Sequence, residues 1–335
     1  MTLSKRSITT LDGLVSRLGS EQALFAQNPE AALPESAVAV HYSGSKSLEI
    51  CGYDVPQKSI RCEPGIRRFQ AEGGSIAAIT NLRPLRLAYW QSVSNAPAFY
   101  DLPIGKVARH CVAVDAAENK CYVGCCCDNK GSIAVFPGQN APVPVDFLPY
   151  ALKPVGNSIY CADSSHQIRK LDKKTFKGDV VTQIDNPNPD RIIEDLIVSE
   201  NGASKVLCAK TSEGDNSSFY TWVNNLPVRR IDVLNNAFDA GILGGRVWLF
   251  YGDKSCLVSE TPGVKCEQKR LSFWHDIQAV KIDSKLNYVC VATSKQMFMI
   301  PFYPAINQLL DDRIKMSGFD TNKPFDNMAV VHTWQ

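Results

Sequence analysis

Apolar and polar positions alternate along much of this chain in short runs, and the runs come in pairs. Each pair holds a run of period two, a polar or glycine-bearing turn, and a second run of the same kind. The pairs stand at SAVAVHYSGSKSLEICGYD, SIAAITNLRPLRLAYWQ, KCYVGCCCDNKGSIAVFP, SIYCADSSHQIRKLD, KVLCAKTSEGDNSSFYTWV, RVWLFYGDKSCLVSE and NYVCVATSKQMFMIPFY. Such pairs predict β-hairpins. Their turns centre near Gly44, Leu82, Asn129, Ser165, Gly214, Gly252 and Ser294. The mean spacing is ~42 residues, within the ~40–45 of a four-stranded propeller blade. Further apolar segments precede most hairpins (HCVAVD, YALKPV, EDLIVSE, AGILG, IQAVKI) and others follow them (SIRCE, AFYDL, VPVDF, VVTQI, RRIDV, KRLSF).

Four strands in each of seven units predict an all-β chain, folded over residues 1–335 as a single seven-bladed β-propeller. The Gly-His and Trp-Asp marks of regular WD repeats are missing, and Trp222 and Trp248 stand near suitable places without an aspartate partner. The blades are therefore read as divergent and WD40-like. Residues 1–20 are expected to form an N-terminal extension or a ring-closing strand. TLDGLVSRLGSEQALF would put Leu11, Leu14, Val15 and Leu18 on one helical face, whereas SITTL would supply the strand. Residues 304–335 are read as a C-terminal extension.

Composition narrows the function classes. Of 335 residues 44% are apolar and 21% charged, ample for a core, and the formal net charge is +2. A balance so close to neutral argues against a protein whose sole task is to hold nucleic acid. Twelve cysteines would suit a disulfide framework. However, MTLSKRSITTLDGL lacks the apolar stretch of a secretory signal, and several cysteines fall inside strands, so free thiols in a reducing compartment are expected. No apolar run approaches the ~18 residues of a membrane span. The expectation is a soluble intracellular protein without a membrane association.

Little catalytic chemistry is legible. In CYVGCCCDN, strand alternation sends Cys121, Cys125 and Cys127 to one face and Cys126 to the other, so the four thiols do not converge and no metal is expected. No nucleophile elbow, phosphate-binding glycine loop or dinucleotide fingerprint is present. His41, His110, His166, His275 and His332 are scattered, which leaves a propeller hydrolase or lactonase as a minor alternative. Cations cluster at Arg67 and Arg68, at Arg83 and Arg86, at Arg229 and Arg230, and most densely at Arg169, Lys170, Lys173, Lys174 and Lys177. Solvated lysines on an outer strand deter edge pairing, while a docking surface for acidic groups or phosphates would use the same residues.

The middle blade, with Ala162-Asp163, a polar turn and then Ile168-Arg169, resembles the WD-repeat non-catalytic subunit of the tRNA (guanine-N(7)-)-methyltransferase. That family carries A/S-D-R-D-E-x-I-R there; Ser164-Ser165-His166 replaces the central Arg-Asp-Glu. Asp128-Asn129-Lys130-Gly131-Ser132-Ile133 is similar to the family's preceding hairpin, and Lys323-Pro324-Phe325-Asp326-Asn327 to its K-x-x-F-D-N motif. The likeness covers roughly residues 103–335. It implies a scaffold, itself not an enzyme and without cofactor, that binds and orders a separate S-adenosylmethionine-dependent methyltransferase acting on a guanine of tRNA. The residue matching Arg169 makes a charged contact with that partner in the family. His166, Gln167, Arg169 and Lys170 are accordingly expected to bind the partner, and Lys173, Lys174 and Lys177 to face tRNA held mainly by the complex. Asp163 and Asp128 are expected to hold turns. The resemblance further implies a nuclear protein that is also expected in the cytoplasm, and a generic propeller adaptor remains the rival reading.

Overall fold

In the computed structural model the chain is a β-propeller, and the described residues contain strands but no helix. They run from 36 to 332, except for 53–57, 64, 81–83, 104–107, 139–140, 185–191, 202–203, 214–215, 235–236, 244–245, 253–254, 262–267, 285, 304–307 and 310–312. The proposed helix or strand in residues 1–20 lies outside them. The strands form seven antiparallel sheets: six with four strands each and one with a fifth short strand at its outer side.

The strands facing the axis are Phe325–His332, Ile66–Glu72, Ala108–Asp115, Pro149–Val155, Ile192–Asn201, Ala237–Leu243 and Ile277–Asp283, for the first to the seventh sheet. Each touches the next and the last touches the first, closing a ring. From the second sheet onward the strands follow chain order from the axis outwards. The first sheet differs. Its axial strand comes from the far end of the chain: Phe325–His332 pairs antiparallel with Ser36–Tyr42, from Ser36 opposite His332 to Tyr42 opposite Phe325.

Seven apolar clusters fill the seven gaps between neighbouring sheets. The fourth sheet shows how. Alternation in Ser158–Asp163 and Gln167–Asp172 sends Tyr160, Ala162 and Ile168 towards the fifth sheet, where they meet Leu196, Leu207 and Trp222. Ile159, Cys161 and Leu171 point towards the third, against Cys111, Tyr122 and Ile133. A strand covered on both faces must be apolar at successive positions, which is why SIYCAD reads as an almost unbroken buried run. The cysteine-rich strand behaves likewise: Cys121 and Cys125 pack between the second and third sheets, and its thiols donate to nearby carbonyls, such as Cys126 to Pro149 at 3.1 Å. Burial pushes the thiols of Cys51 and Cys208 up to about 12.

Five axial strands carry the same irregularity. The register with the second strand slips by one residue near the start, at Ile66/Arg68, Pro149/Ala151, Ile193/Asp195, Ala237/Asp239 and Ile277/Ala279. A bulge of this kind sharpens the local twist and re-aims the next side chain. Here the residues after the slip (Arg68, Ala151, Asp195, Asp239 and Ala279) line the axial cavity.

Candidate functional sites: the 163–170 hairpin and the axial cavity

Asp163 ends the second strand of the fourth sheet and is 1% exposed. Its carboxylate accepts the N–H groups of Ser165 at 2.9 Å and Gln167 at 3.0 Å, so one side chain closes the turn between the two strands. Its other oxygen accepts Arg169 Nε at 2.9 Å. Arg169 also donates from Nη2 to Gln167 Oε1 at 2.8 Å, and its guanidinium lies 4.8 Å from the centre of the Phe147 ring. Two of its five N–H donors are used in these bonds. Strand alternation puts Arg169 on the side of the third sheet and its neighbours Ile168 and Lys170 on the side of the fifth.

The remaining predicted residues divide by position. His166 occupies the left-handed region, at φ 60, and is 7% exposed, so its ring is packed into the turn rather than presented to a partner. Lys170 donates to Glu200 of the fifth sheet at 2.8 Å and lies 5.4 Å from the Tyr160 ring centre. Burial pushes the Glu200 carboxyl up, but its bonds from Lys170 and Tyr160 outweigh that and hold it below the usual range.

Lys173 corrects the expectation of an exposed cation. Its side chain is 8% exposed and its ammonium is bonded to Asp115 and, at 2.9 Å, to Glu118 of the third sheet. Burial works against its charge, yet these two acids hold its pKa above the ordinary value. It pins two sheets together. Lys174 and Lys177 are exposed, on a turn where Asp172 accepts the N–H groups of Lys174 and Thr175. That turn lies at the opposite end of Gln167–Asp172 from His166, roughly 20 Å away for six residues at ~3.3 Å each. The 164–166 turn and the turn bearing Lys174 and Lys177 thus open onto opposite faces of the propeller, with Arg169 and Lys170 midway along the strand between them. Asp128 and Asn129, both with positive φ, make the two-residue turn before Lys130–Phe136.

The axial cavity was not legible in the sequence. It has a volume of about 300 Å3, and the axial strands of all seven sheets line it. Two of its cations are paired with acids of the lining: Lys281 lies 3.5 Å from Asp239, and Lys210 lies 3.9 Å from Glu194. Burial pushes the Asp239 carboxyl above its usual range; burial also works against the charge of Lys281, but Asp239 and Asp195 outweigh it and hold Lys281 above its own. No histidine lines the cavity among the described residues. Two buried histidines instead anchor the closing strand: His41 bonds Asp326 at 2.7 Å, and His332 bonds Asp283 of the seventh sheet at 3.0 Å. Among the described residues no group of three or more His, Cys, Asp or Glu side chains is placed to hold a metal ion.

No family model matches the chain, and no curated protein does. Among solved structures it is similar to dihydro-heme d1 dehydrogenase NirN in complex with DHE, with a TM-score of 0.56 at 8% identity, covering 88% of this chain and 75% of that one. It is also similar to BamB from Moraxella catarrhalis, with a TM-score of 0.44 at 12% identity, covering 76% of this chain and 81% of that one. At such identities the first likeness speaks for the propeller fold alone.

Proposed function

We propose that this chain is a seven-bladed, non-catalytic propeller that binds and orders a separate S-adenosylmethionine-dependent methyltransferase for guanine-N(7) methylation of tRNA. The observation that carries the reading is the guanidinium of Arg169, gripped on one edge by buried Asp163 and Gln167 and supported by the Phe147 ring. An arginine fixed in this way loses little side-chain freedom when an acidic group of a partner meets its remaining donors. The resemblance in the 162–169 stretch supplies the identity of that partner. A generic adaptor would use the same hairpin, and a hydrolase would use the axial cavity.

The direct test begins with the purified chain and a candidate methyltransferase, each assayed alone and then mixed. Neither should methylate tRNA efficiently by itself, and the mixture should. Reversing the charge at position 169 is a poor probe, because a glutamate there would face the buried Asp163 carboxylate. The double variant Asp163→Asn, Arg169→Met keeps the turn's acceptor and removes both charges together. It should remain folded and bind the methyltransferase at least about tenfold more weakly, a loss of roughly 1.4 kcal/mol. Wild-type affinity in the folded double variant, or full methylation by this chain alone, would overturn the proposal.

A further inference from the structure

Trp274 is 92% exposed, far beyond any other large apolar side chain among the described residues. It sits in the link from the sixth sheet to the axial strand of the seventh, on the propeller face that also carries the 164–166 turn. The link is braced rather than loose. Phe273 is buried beside Phe298, with ring centres 6.2 Å apart, and the Arg313 guanidinium lies 4.2 Å from the centre of its ring. Arg313 Nη2 donates to the carbonyl of Ser272 at 2.6 Å, and the Ser294 N–H donates to that of Asp276 at 2.9 Å. The indole is thus mounted on backbone fixed from both sides.

Among the described residues, the segments that brace it carry more cations than acids. Exposed Lys295 stands in the turn that bonds Asp276. Exposed Lys315 lies directly opposite Phe298 in the register and therefore on the same side of the sheet as that ring. Arg313 adds a third positive charge and His275 is exposed beside the indole, while Asp276 is the acid of the link. A tryptophan that anchors a protein interface stands among apolar neighbours that exclude water. Ser272, His275, Asp276 and Gln278 around Trp274 are exposed and polar. A flat, mounted ring with cations near it suits a different ligand: a base stacks on the ring, and the flanking charges meet the phosphates.

We infer that Trp274, with Lys295, Lys315 and Arg313, is a stacking site for an unpaired base of single-stranded or looped RNA. The site belongs to this chain alone and does not depend on the methyltransferase reading, so it is tested without any partner.

The probe is a fluorescently labelled, unstructured uridine-rich RNA of about a dozen nucleotides, titrated with the full chain and followed by anisotropy at ~50 mM salt and upwards. Trp274→Ala should weaken binding about tenfold or more, the worth of one stacked base, with an unchanged melting temperature, and Trp274→Tyr should recover most of the loss. Lys295→Gln and Lys315→Gln should each lower the salt slope by about 0.7, as expected for one lost phosphate contact on a single strand. The inference is overturned if the wild-type chain does not bind this RNA at the lowest salt, or if folded Trp274→Ala binds it as tightly as wild type.

Discussion

The carboxylate of Asp163 is the single group on which the 163–170 hairpin depends, and its removal has a calculable consequence. In Asp163→Ala the N–H groups of Ser165 and Gln167 lose their acceptor, and Arg169 loses a charged bond of 2.9 Å inside a largely covered pocket. Each backbone donor left unpaired costs about 1 kcal/mol where water reaches it only partly, and a charge-assisted bond is worth about 1.5 kcal/mol. Ser165 is exposed and recovers some of its loss through solvent. The net expectation is a destabilisation of about 3 kcal/mol. Asp163→Asn retains an acceptor for the turn, but its amide N–H donors then face Arg169 Nε–H and the charged bond is lost, so about 1.5 kcal/mol is expected. Urea unfolding followed by intrinsic fluorescence distinguishes the two: the midpoint should fall in the order wild type, Asn, Ala, with the slope unchanged. An alanine variant within ~0.5 kcal/mol of wild type would refute the reasoning, because that is the range of a solvated surface position.

Two further outcomes follow from the packing. Lys173→Ala leaves Asp115, whose side chain is 7% exposed, without its cation, and should cost about 3 kcal/mol, whereas Lys174→Ala on the same turn should lie within ~0.5 kcal/mol of wild type; thermal or urea unfolding of both variants checks the contrast. In the unfolded chain the buried thiols ionise near pH 9, but burial keeps Cys62 protonated up to about 11 and Cys51 and Cys208 up to about 12. Above pH 9 the unfolded state therefore binds fewer protons, and stability should fall as pH rises from 9 to 11 by about 1.4 kcal/mol per pH unit for each such thiol. A Cys51→Ala, Cys208→Ala variant should show a shallower fall in melting temperature over that window, and an equal or steeper one would contradict the assignment.

The hairpins were legible because the middle strands of each sheet are covered on both faces, so runs such as SIYCAD and YVCVAT are apolar at nearly every position and end at polar turns. Asp163 was legible as a turn residue for the same local reason. Its hold on Arg169 was not, although the two are six residues apart, because strand periodicity gives the side of the sheet and not the partner. Lys173 was misplaced because Asp115 lies 58 residues away in the chain, in another sheet. The axial strands were the hardest to read. EDLIVSE and AFDAGIL mix charges or small residues with apolar ones because one edge faces the cavity, and the register slips break the period of two. Trp274 went unnoticed because an exposed tryptophan and a buried one look alike in a sequence.

The axial strand of the first sheet has a consequence in time as well as in space. A ribosome emits Ser36–Tyr42 long before Phe325–His332, and 285 residues separate His41 from its partner Asp326. Bringing together the ends of a loop that long costs about 5 kcal/mol in chain entropy, a cost met only by the pairing itself and by the packing that follows it. Until Phe325–His332 emerges, Ala37, Val38, Ala39 and Val40, all fully covered in the finished ring, lie along an edge with open hydrogen bonds. A chain cut short just ahead of Phe325 would keep every other described strand, yet its completed sheets would form an open arc with an apolar strand exposed at one end. Quality control in the cell would meet that arc as an aggregation-prone species, so the last strand to be made decides whether the earlier ones persist.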